Sequence, residues 1–378
     1  MKKHIFIIGG MNFKSINAAM HRYYTMSKLF DSDKYSVVFV GVGHENTSGK
    51  FMGNNYFAKK HPRSFKEWVK HTLFSNFFIN ILKQDSAQKI VIISCSSIPV
   101  IPMLNIIRYC KKHKYKYILD IDEWFAKSSE KFPRNIVKDI DTFVKMKIVN
   151  KKAKNAIVSS TYLKKYYYNN IENIFILPAI VSIKYDIQPQ QLFLQNGVNA
   201  VNLSFIGVLE KNNTKENLDS LITAINCYNM TSSKNKIHLN VIGTDGSNSK
   251  FVHFYGKQPY RKCIEYLVSS DFTVIPRNNT RKNNAGFPTK MSESYLYEIP
   301  VISTDTSDIS KYIISGINGY LVENNTVDCY LEIFKNIDCE IQKKSNYLNQ
   351  IKNNVRENNL LTIDHFKERF NDYWEMLK

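Results

Sequence analysis

A chain of 378 residues, 43% hydrophobic and 13% aromatic, can bury sizeable cores and is about twice the usual length of one domain, which argues for two domains and against a disordered protein. The formal net charge of +19 is lopsided: residues 1–190 hold 31 Lys and Arg against 13 Asp and Glu, the remainder 21 against 20. The six cysteines, Cys95, Cys110, Cys227, Cys263, Cys329 and Cys339, show no CxxC spacing and no paired histidines nearby, which speaks against zinc and for reduced, structural thiols.

Apolar runs such as Ile90–Ser94 fall far short of the ~20 residues a bilayer span needs. The start, MKKHIFIIGGMNF, has the charge of a signal peptide, but its apolar stretch ends at Ile8 and glycines follow at once. A first strand running into a turn explains it better, and a cytoplasmic protein is expected. The basic half suits an anionic partner: a membrane surface, a phosphorylated lipid or nucleic acid. A solvated surface in a Lys- and Asn-rich chain accounts for the same charge.

Strand and helix signals alternate through the first half. His4–Ile8 reads as a buried strand, 17–30 as a helix and Tyr35–Val40 as a strand. A helical stretch over Phe65–Leu82 leads to strand Ile90–Ser94, helix Pro99–His113 and strand Tyr117–Ile121. Helix Ile136–Lys154, strand Ala156–Ser159 and a helix over Ser160–Tyr168 complete the series. This βαβ rhythm implies a parallel sheet with helices on both faces. Residues 178–200, polar and Gln-rich between Pro178 and Pro189, read as an interdomain linker. The rhythm then restarts with strand Leu203–Gly207, helix Asn217–Tyr228 and strands Ile237–Ile242 and Val252–Tyr255. It continues with helix Tyr260–Ser269, strand Phe272–Ile275, a polar loop, helix Pro288–Tyr297 and strand Val301–Thr304; the tail 363–378 is an amphipathic aromatic helix.

The most informative segment is Arg277–Glu293, RNNTRKNNAGFPTKMSE. It follows a buried strand and so belongs to the strand edge where open α/β sheets bind ligands. Pro288 and Thr289 suit the opening of a helix, and Gly286 lets backbone approach a ligand closely. The free amides of a helix start, with Arg277, Arg281, Lys282 and Lys290 around them, form an anion site for which a diphosphate is the natural guest. Glu293, one turn on, could accept hydrogen bonds from ribose hydroxyls. A capped helix with solvated lysines is the plainer reading of the same residues.

In the first half, Gly9 and Gly10 end the first strand ahead of Ser15, Asn17 and Ala18, residues small enough for a ligand's close approach; this is not a GxGxxG fingerprint. DIDEWF, residues 120–125, places three carboxylates and two aromatics after an apolar strand. Asp122 or Glu123 could orient or deprotonate a bound hydroxyl, and Trp124 could stack on the face of a ligand ring. Capping by Asp122 with a core Trp124 is the alternative.

The stretch AGFPTKMSESYLYEIPVISTDTSDISKYIISGINGYLVE resembles the donor-binding region of glycosyltransferase family four, retaining enzymes of GT-B fold. Glu293 matches the second Glu of that family's pair, Pro300-Val301 its Pro-Val, and Asn318-Gly319 a later turn. Ala285 stands where the first Glu belongs, which moves sugar recognition to Asn283, Asn284 or the amides of Gly286 and Phe287. Residues 206–224 resemble the family's diphosphate loop, with Gly207 matching, Val208 in place of an Arg, and Lys211 or, preferably, Lys215 as its lysine. Residues 253–276 resemble the base-binding segment, with Gly256 at its turn.

The resemblance implies two Rossmann-like domains with parallel sheets facing across a cleft. An acceptor domain would span 1–185, with helix 361–378 packing back on it, and a donor domain 195–355. It implies a donor site of Gly10, Asn17, Gly207, Lys215, Gly256, Arg277, Asn284, Gly286, Phe287, Pro288, Thr289, Lys290 and Glu293, with Asp122, Glu123 and Lys290 at the chemistry. It further implies transfer with retention from a nucleoside diphosphate sugar, a UDP-sugar foremost, without cofactor or metal. The acceptor would be a glycan or a polyprenyl-linked saccharide, in bacterial surface polysaccharide synthesis.

The aromatics Phe65, Trp68, Phe74, Phe77 and Phe78, interleaved with Lys66, Lys70 and His71, suit peripheral attachment to the anionic inner membrane face; they would equally pack a helix on the sheet. Other GT-B chemistry, an epimerase or a phosphorylase, remains as an alternative, as does a basic nucleic-acid-binding protein. The latter lacks a recognisable binding motif, and no nucleic-acid partner is expected.

Overall fold

The structure is a computed structural model that describes residues 2–11, 13, 18–43, 45–84, 89–124, 132–188, 192–193, 200–209, 215–231 and 234–377. The chain forms two compact units, Met1–Ile180 with Ile363–Lys378, and Val181–Thr362.

The first unit runs β1 (Lys3–Gly9), α1 (Ala18–Lys28), β2 (Tyr35–Gly43), β3 (Thr47–Phe51), β4 (Asn54–Lys60), α2 (Phe65–Leu73), α3 (Asn76–Lys83), β5 (Lys89–Ser94) and α4 (Val100–Lys112). It continues with β6 (Lys116–Ile121), α5 (Arg134–Val144), β7 (Asn155–Val158), α6 (Thr161–Tyr167) and β8 (Asn173–Ile176). The eight strands lie in the order β3-β4-β2-β1-β5-β6-β7-β8, parallel except for the β3–β4 hairpin. Helices cover both faces of such a sheet, which is why its central strands carry runs of consecutive apolar residues: Ile5, Phe6, Ile7 and Ile8 of β1 are all buried.

Sequence periodicity misses β3, a polar edge strand (TSGKF), and the four-residue β8. The helical stretch 65–82 is two helices. Phe74 turns extended, and Ser75 opens α3, while α2 is started by a capping box between Ser64 and Glu67. The helix expected over 136–154 likewise ends at Val144 and passes into a π turn, Lys145–Val149, and a 3-10 turn, Asn150–Lys152.

The second unit runs β9 (Ala200–Ile206), α7 (Asp219–Met230), β10 (Lys236–Ile242), β11 (Val252–Phe254), α8 (Tyr260–Val268), β12 (Phe272–Ile275), α9 (Arg281–Ala285), α10 (Thr289–Leu296), β13 (Val301–Thr304), β14 (Gly319–Val322), α11 (Val327–Lys343) and α12 (Tyr347–Glu357). Its six strands are parallel, in the order β11-β10-β9-β12-β13-β14. Leu203, Phe205, Leu221, Val241, Phe272 and Phe334 belong to one buried core. Of the stretch read as a linker, the described residues from Val181 on belong to this unit. Phe193 packs with Ile242 and Tyr266, and the Tyr185 amide donates to the Tyr297 hydroxyl at 2.8 Å.

The last helix, α13 (Ile363–Met376), packs on the first unit. The Tyr373 hydroxyl donates to the Ala156 carbonyl at 3.3 Å and the Trp374 indole to the Tyr35 hydroxyl at 2.9 Å, with Phe370 edge-on to Phe30.

Candidate functional site

Because the strands of the second sheet are parallel, their C-terminal ends share one edge, and three glycines gather there. Gly207 follows β9, Gly243 follows β10 and Gly256 follows β11. Gly243 (φ 100°) donates its amide to the Gly256 carbonyl at 2.7 Å, and a Cβ on it would stand 2.7 Å from the Gly207 carbonyl oxygen. Only glycine fits. Gly243 is a position that sequence reasoning missed; its signal was a strand end followed by a Gly-Thr-Asp-Gly turn. The Thr244 hydroxyl fastens the same corner, donating to the Gly207 carbonyl at 3.0 Å and accepting the Leu209 amide at 3.0 Å.

Lys290, in the first turn of α10, reaches across this corner. Its ammonium lies 4.1 Å from the centre of the Phe205 ring and 2.5 Å from Oε2 of Glu216, and a Cβ on Gly207 would come within 2.6 Å of it. Glu216 is buried, and its backbone bridges that of Arg277, whose Nε is 3.9 Å from Oε1. Burial raises the Glu216 carboxyl, but Lys290, Arg277 and Lys215 together more than offset this and leave its pKa below the ordinary value. Burial is the largest influence on Lys290 and lowers its pKa, with Glu216 opposing and Arg277 and Lys215 adding to the lowering.

Arg277 is not a free cation offered to an anion. It is buried, its guanidinium donates to the Gly286 carbonyl at 2.8 Å, and its backbone is laced to Thr304 in both directions. It therefore holds the loop that delivers Pro288 and Thr289 to the helix start. Pro288 is the residue preceding the helix rather than its first member. Phe287 is buried edge-on against Tyr312 and anchors the same loop.

Asn284 spends its side chain on Asn279 and on the Ser307 amide. The fully buried Asn283 donates to the carbonyls of Lys215 and Asn278, which joins the segment before α7 to the one after β12. At the far side of α10, Glu293 accepts a hydrogen bond from the Tyr260 hydroxyl at the start of α8, four residues after the Gly256 turn. Burial raises the Glu293 carboxyl despite that bond. The segments picked out for base and ribose are thus brought together.

In the first unit a second strand edge gathers Gly10, Ser94, Ser96, Ser97 and Asp122. A Cβ on Gly10 would meet the Ser97 hydroxyl at 2.9 Å, and Ser96 donates to Asp122 Oδ2 at 3.3 Å. Oδ1 of Asp122 is buried without a hydrogen-bond partner among the described residues. Burial, then the neighbouring Asp120, pushes the Asp122 carboxyl up to about 7, against the pull of Arg22.

Asp120 is committed elsewhere: the buried Arg22 holds both its oxygens (2.5–3.1 Å) and donates to the Leu177 carbonyl at 3.0 Å. That engagement takes the first carboxylate of Asp-Ile-Asp out of any metal pair. Trp124 stands edge-on to Tyr166 with Lys147 over its ring, a packed arrangement rather than an open sugar platform. Glu123 is half-buried beside Asp122. Asn17, with Ser15, Phe125 and Lys211, lies outside the described residues. Among the described residues no group of three or more His, Cys, Asp or Glu is placed to hold a metal. A cavity of about 900 Å3, lined by Lys2, Lys28, Tyr35, Lys50 and Trp374, opens where β1 and β2 begin, and is separate from both strand edges.

Residues 201–357 match the family model described as "Glycosyl transferases group 1". No curated protein matches the chain. Among solved structures, the sucrose-phosphate synthase of Thermosynechococcus elongatus superposes with a TM-score of 0.66 at 10% identity, covering 100% of this chain and 99% of that one. A glycosyltransferase from Rickettsia africae gives 0.64 at 12%, with 100% and 99% covered. Anabaena HepE, in complex with UDP-glucose, gives 0.62 at 12%, with 99% of each chain covered. The fold is the GT-B fold, two Rossmann-like α/β units with parallel sheets.

Proposed function

We propose that this glycosyltransferase, whose residues 201–357 carry the group 1 domain, moves a sugar from a nucleoside diphosphate sugar to a glycan or polyprenyl-linked acceptor, with retention, in bacterial surface polysaccharide synthesis. The observation that carries the reading is Lys290, held at the start of α10 and stretched over Gly207 at the end of β9. A departing diphosphate gathers negative charge. The start of a helix, a fixed ammonium and the nearby Lys215 stabilise that charge with no metal required.

Glu293, bonded to Tyr260, is assigned to the ribose hydroxyls, and the Gly256 turn to the base. HepE is described with UDP and UDP-glucose, and an E. coli neighbour with UDP-2-fluoro glucose, which supports a UDP-sugar donor. Asp122 is assigned to orienting the acceptor hydroxyl. Retention follows from attack on the face the diphosphate leaves, with a leaving phosphate oxygen taking the acceptor proton.

No helix among the described residues is long and apolar enough to cross a membrane. With its basic excess in the first half, the chain is read as cytoplasmic and attached peripherally to an anionic membrane face. Calorimetric titration with nucleoside diphosphates, followed by transfer assays over a panel of sugar nucleotides, tests the reading. Saturable UDP binding and turnover of one donor are expected; oligonucleotide binding without any nucleotide affinity would overturn it.

A further inference from the structure

Among the described residues of the first unit, α2 and α5 are the two helices of eight residues or longer in which no residue is fully buried, although both are amphipathic. On α5 the apolar residues Ile136, Ile140 and Phe143 recur at three- and four-residue spacing and so share one arc. Their side chains are 48, 58 and 59% exposed, and Phe132, just before the helix, is 78% exposed.

What attaches α5 to the unit is its polar side. Asp141 accepts the Val100 amide at the start of α4 (2.6 Å) and pairs with Lys145 at 2.8 Å; Lys145 in turn donates to the Ile98 carbonyl at 3.1 Å. An ordinary surface helix does the reverse, burying its apolar stripe. Helix α2 lies beside the start of α5: the Arg134 guanidinium lies 5.9 and 5.8 Å from the ring centres of Phe65 and Trp68, and Phe65, Leu73 and Phe74 are exposed. The two neighbouring helices thus each leave large apolar side chains in solvent, the kind of feature that marks an interaction surface.

The surrounding charge says what covers it. Lys66 and Lys70 on α2, Lys138 on α5 and Lys147 just beyond it are all exposed. Of the three acidic residues on these helices, Glu67 is bound to the amides of Arg63 and Ser64, Asp141 is the tether, and Asp139 is half-buried. We propose that α5, with α2 beside it, is the membrane-seating surface of this enzyme, its Ile and Phe side chains entering the headgroup boundary of an anionic phospholipid bilayer while the lysines meet the lipid phosphates. This rests on the peripheral-membrane reading above and names the surface responsible. Because α5 is tethered at the start of α4, which follows β5, the seat flanks the same strand edge as Ser96 and Asp122, where an acceptor carried by lipid would be delivered.

Flotation of the full chain with vesicles of phosphatidylcholine and phosphatidylglycerol, against phosphatidylcholine alone, tests it. The wild type is expected to float with the anionic vesicles and to keep a salt-resistant bound fraction. I140S/F143S should partition about tenfold or more weakly, with an unchanged thermal midpoint, and I140L/F143L should float like the wild type. K66Q/K70Q should bind less at low salt, down to the salt-resistant part, which it keeps. If I140S/F143S floats as well as the wild type, the assigned surface is wrong and membrane attachment itself stands. If the wild type does not float at all, both fall and the transferase reading is untouched. If lipid-free sedimentation finds a dimer that I140S/F143S dissociates, the patch is a self-contact and the proposal is overturned.

Discussion

The Lys290 ammonium ends 2.5 Å from Oε2 of Glu216, so a carboxylate already occupies the cation proposed to meet the diphosphate. The two residues lie 74 positions apart, and Arg277 and Lys215 add their charges to the same cluster. A diphosphate entering here competes with Glu216 for Lys290. Glu216→Gln, which keeps the shape and removes the charge, is therefore expected to tighten UDP binding several-fold in calorimetry while lowering the thermal midpoint. Weakened binding would mean instead that Glu216 serves to aim Lys290.

Lys290→Ala removes a charge-assisted contact worth about 1.5–3 kcal/mol, or about 10- to 100-fold in Kd. Calorimetric titration of UDP against this variant and Glu216→Gln/Lys290→Ala separates the lost contact from the exposed carboxylate. Unchanged affinity in both variants would remove Lys290 from the donor site.

Gly207→Ala is expected to act on Lys290. The new methyl meets only the far end of that side chain closely, with Nζ at 2.6 Å and Cε at 2.8 Å, so the fold can accommodate it by displacing the ammonium. Donor affinity should fall toward that of Lys290→Ala with little change in thermal midpoint, and the double variant should be no worse than either single one. Additive losses would show that Gly207 contacts the donor independently.

Arg277→Ala is a stability variant before it is a binding variant. The buried guanidinium holds the Gly286 carbonyl and lies beside Glu216, and removing one partner of a buried ion pair costs about 3–5 kcal/mol. The expectation is a thermal midpoint lowered by several degrees. A variant with unchanged stability and lost UDP binding would make Arg277 a direct phosphate ligand.

Asp122, raised to about 7 against about 3.9 for unfolded aspartate, binds a proton in the folded state between those values that the unfolded chain does not hold. Stability from this group is therefore lost as pH rises from about 4 to about 7. Asp122→Asn should match the wild type in thermal midpoint near pH 4 and exceed it above pH 7. If the ionised Asp122 carboxylate orients the acceptor hydroxyl, turnover should rise with pH through about 7 and Asp122→Asn should flatten that limb. Parallel pH profiles of melting and of transfer check both; identical profiles for the two proteins would exclude Asp122 from either role.

Turnover is expected to survive excess EDTA, because Arg22 occupies the oxygens of Asp120 and leaves the Asp-Ile-Asp segment with one carboxylate to offer beside Glu123. Loss of activity restored by magnesium or manganese would instead make that segment a metal site.

The loop and helix start of the candidate site were legible because their signals are local. A buried strand, a polar loop with Gly286 and a helix opening at Pro288 lie within about twenty residues, and the chemistry of a helix start needs no distant partner. Arg277 shows where that reading stops. Its position in the loop was readable and its burial was not, since burial depends on Thr304, Glu216 and Gly286 closing around it. Helix α5 shows the same limit from the other side: its period was visible, but an amphipathic pattern does not say which face turns inward, and here Asp141 decides that.

The sequence by itself determined two α/β units, the parallel character of their sheets and the loop that opens α10, because alternation of apolar strands with periodic helices leaves few other ways to bury those side chains. Tertiary structure alone decided the partnerships: Lys290 with Glu216, Gly243 against Gly207, Asp120 with Arg22 across 98 residues, and Asp122 left to titrate near neutrality. The reason is sheet order. Which strand ends become neighbours is set by crossovers over the whole sheet, and the charge, space and desolvation each side chain meets at that edge exist only after the strands have paired.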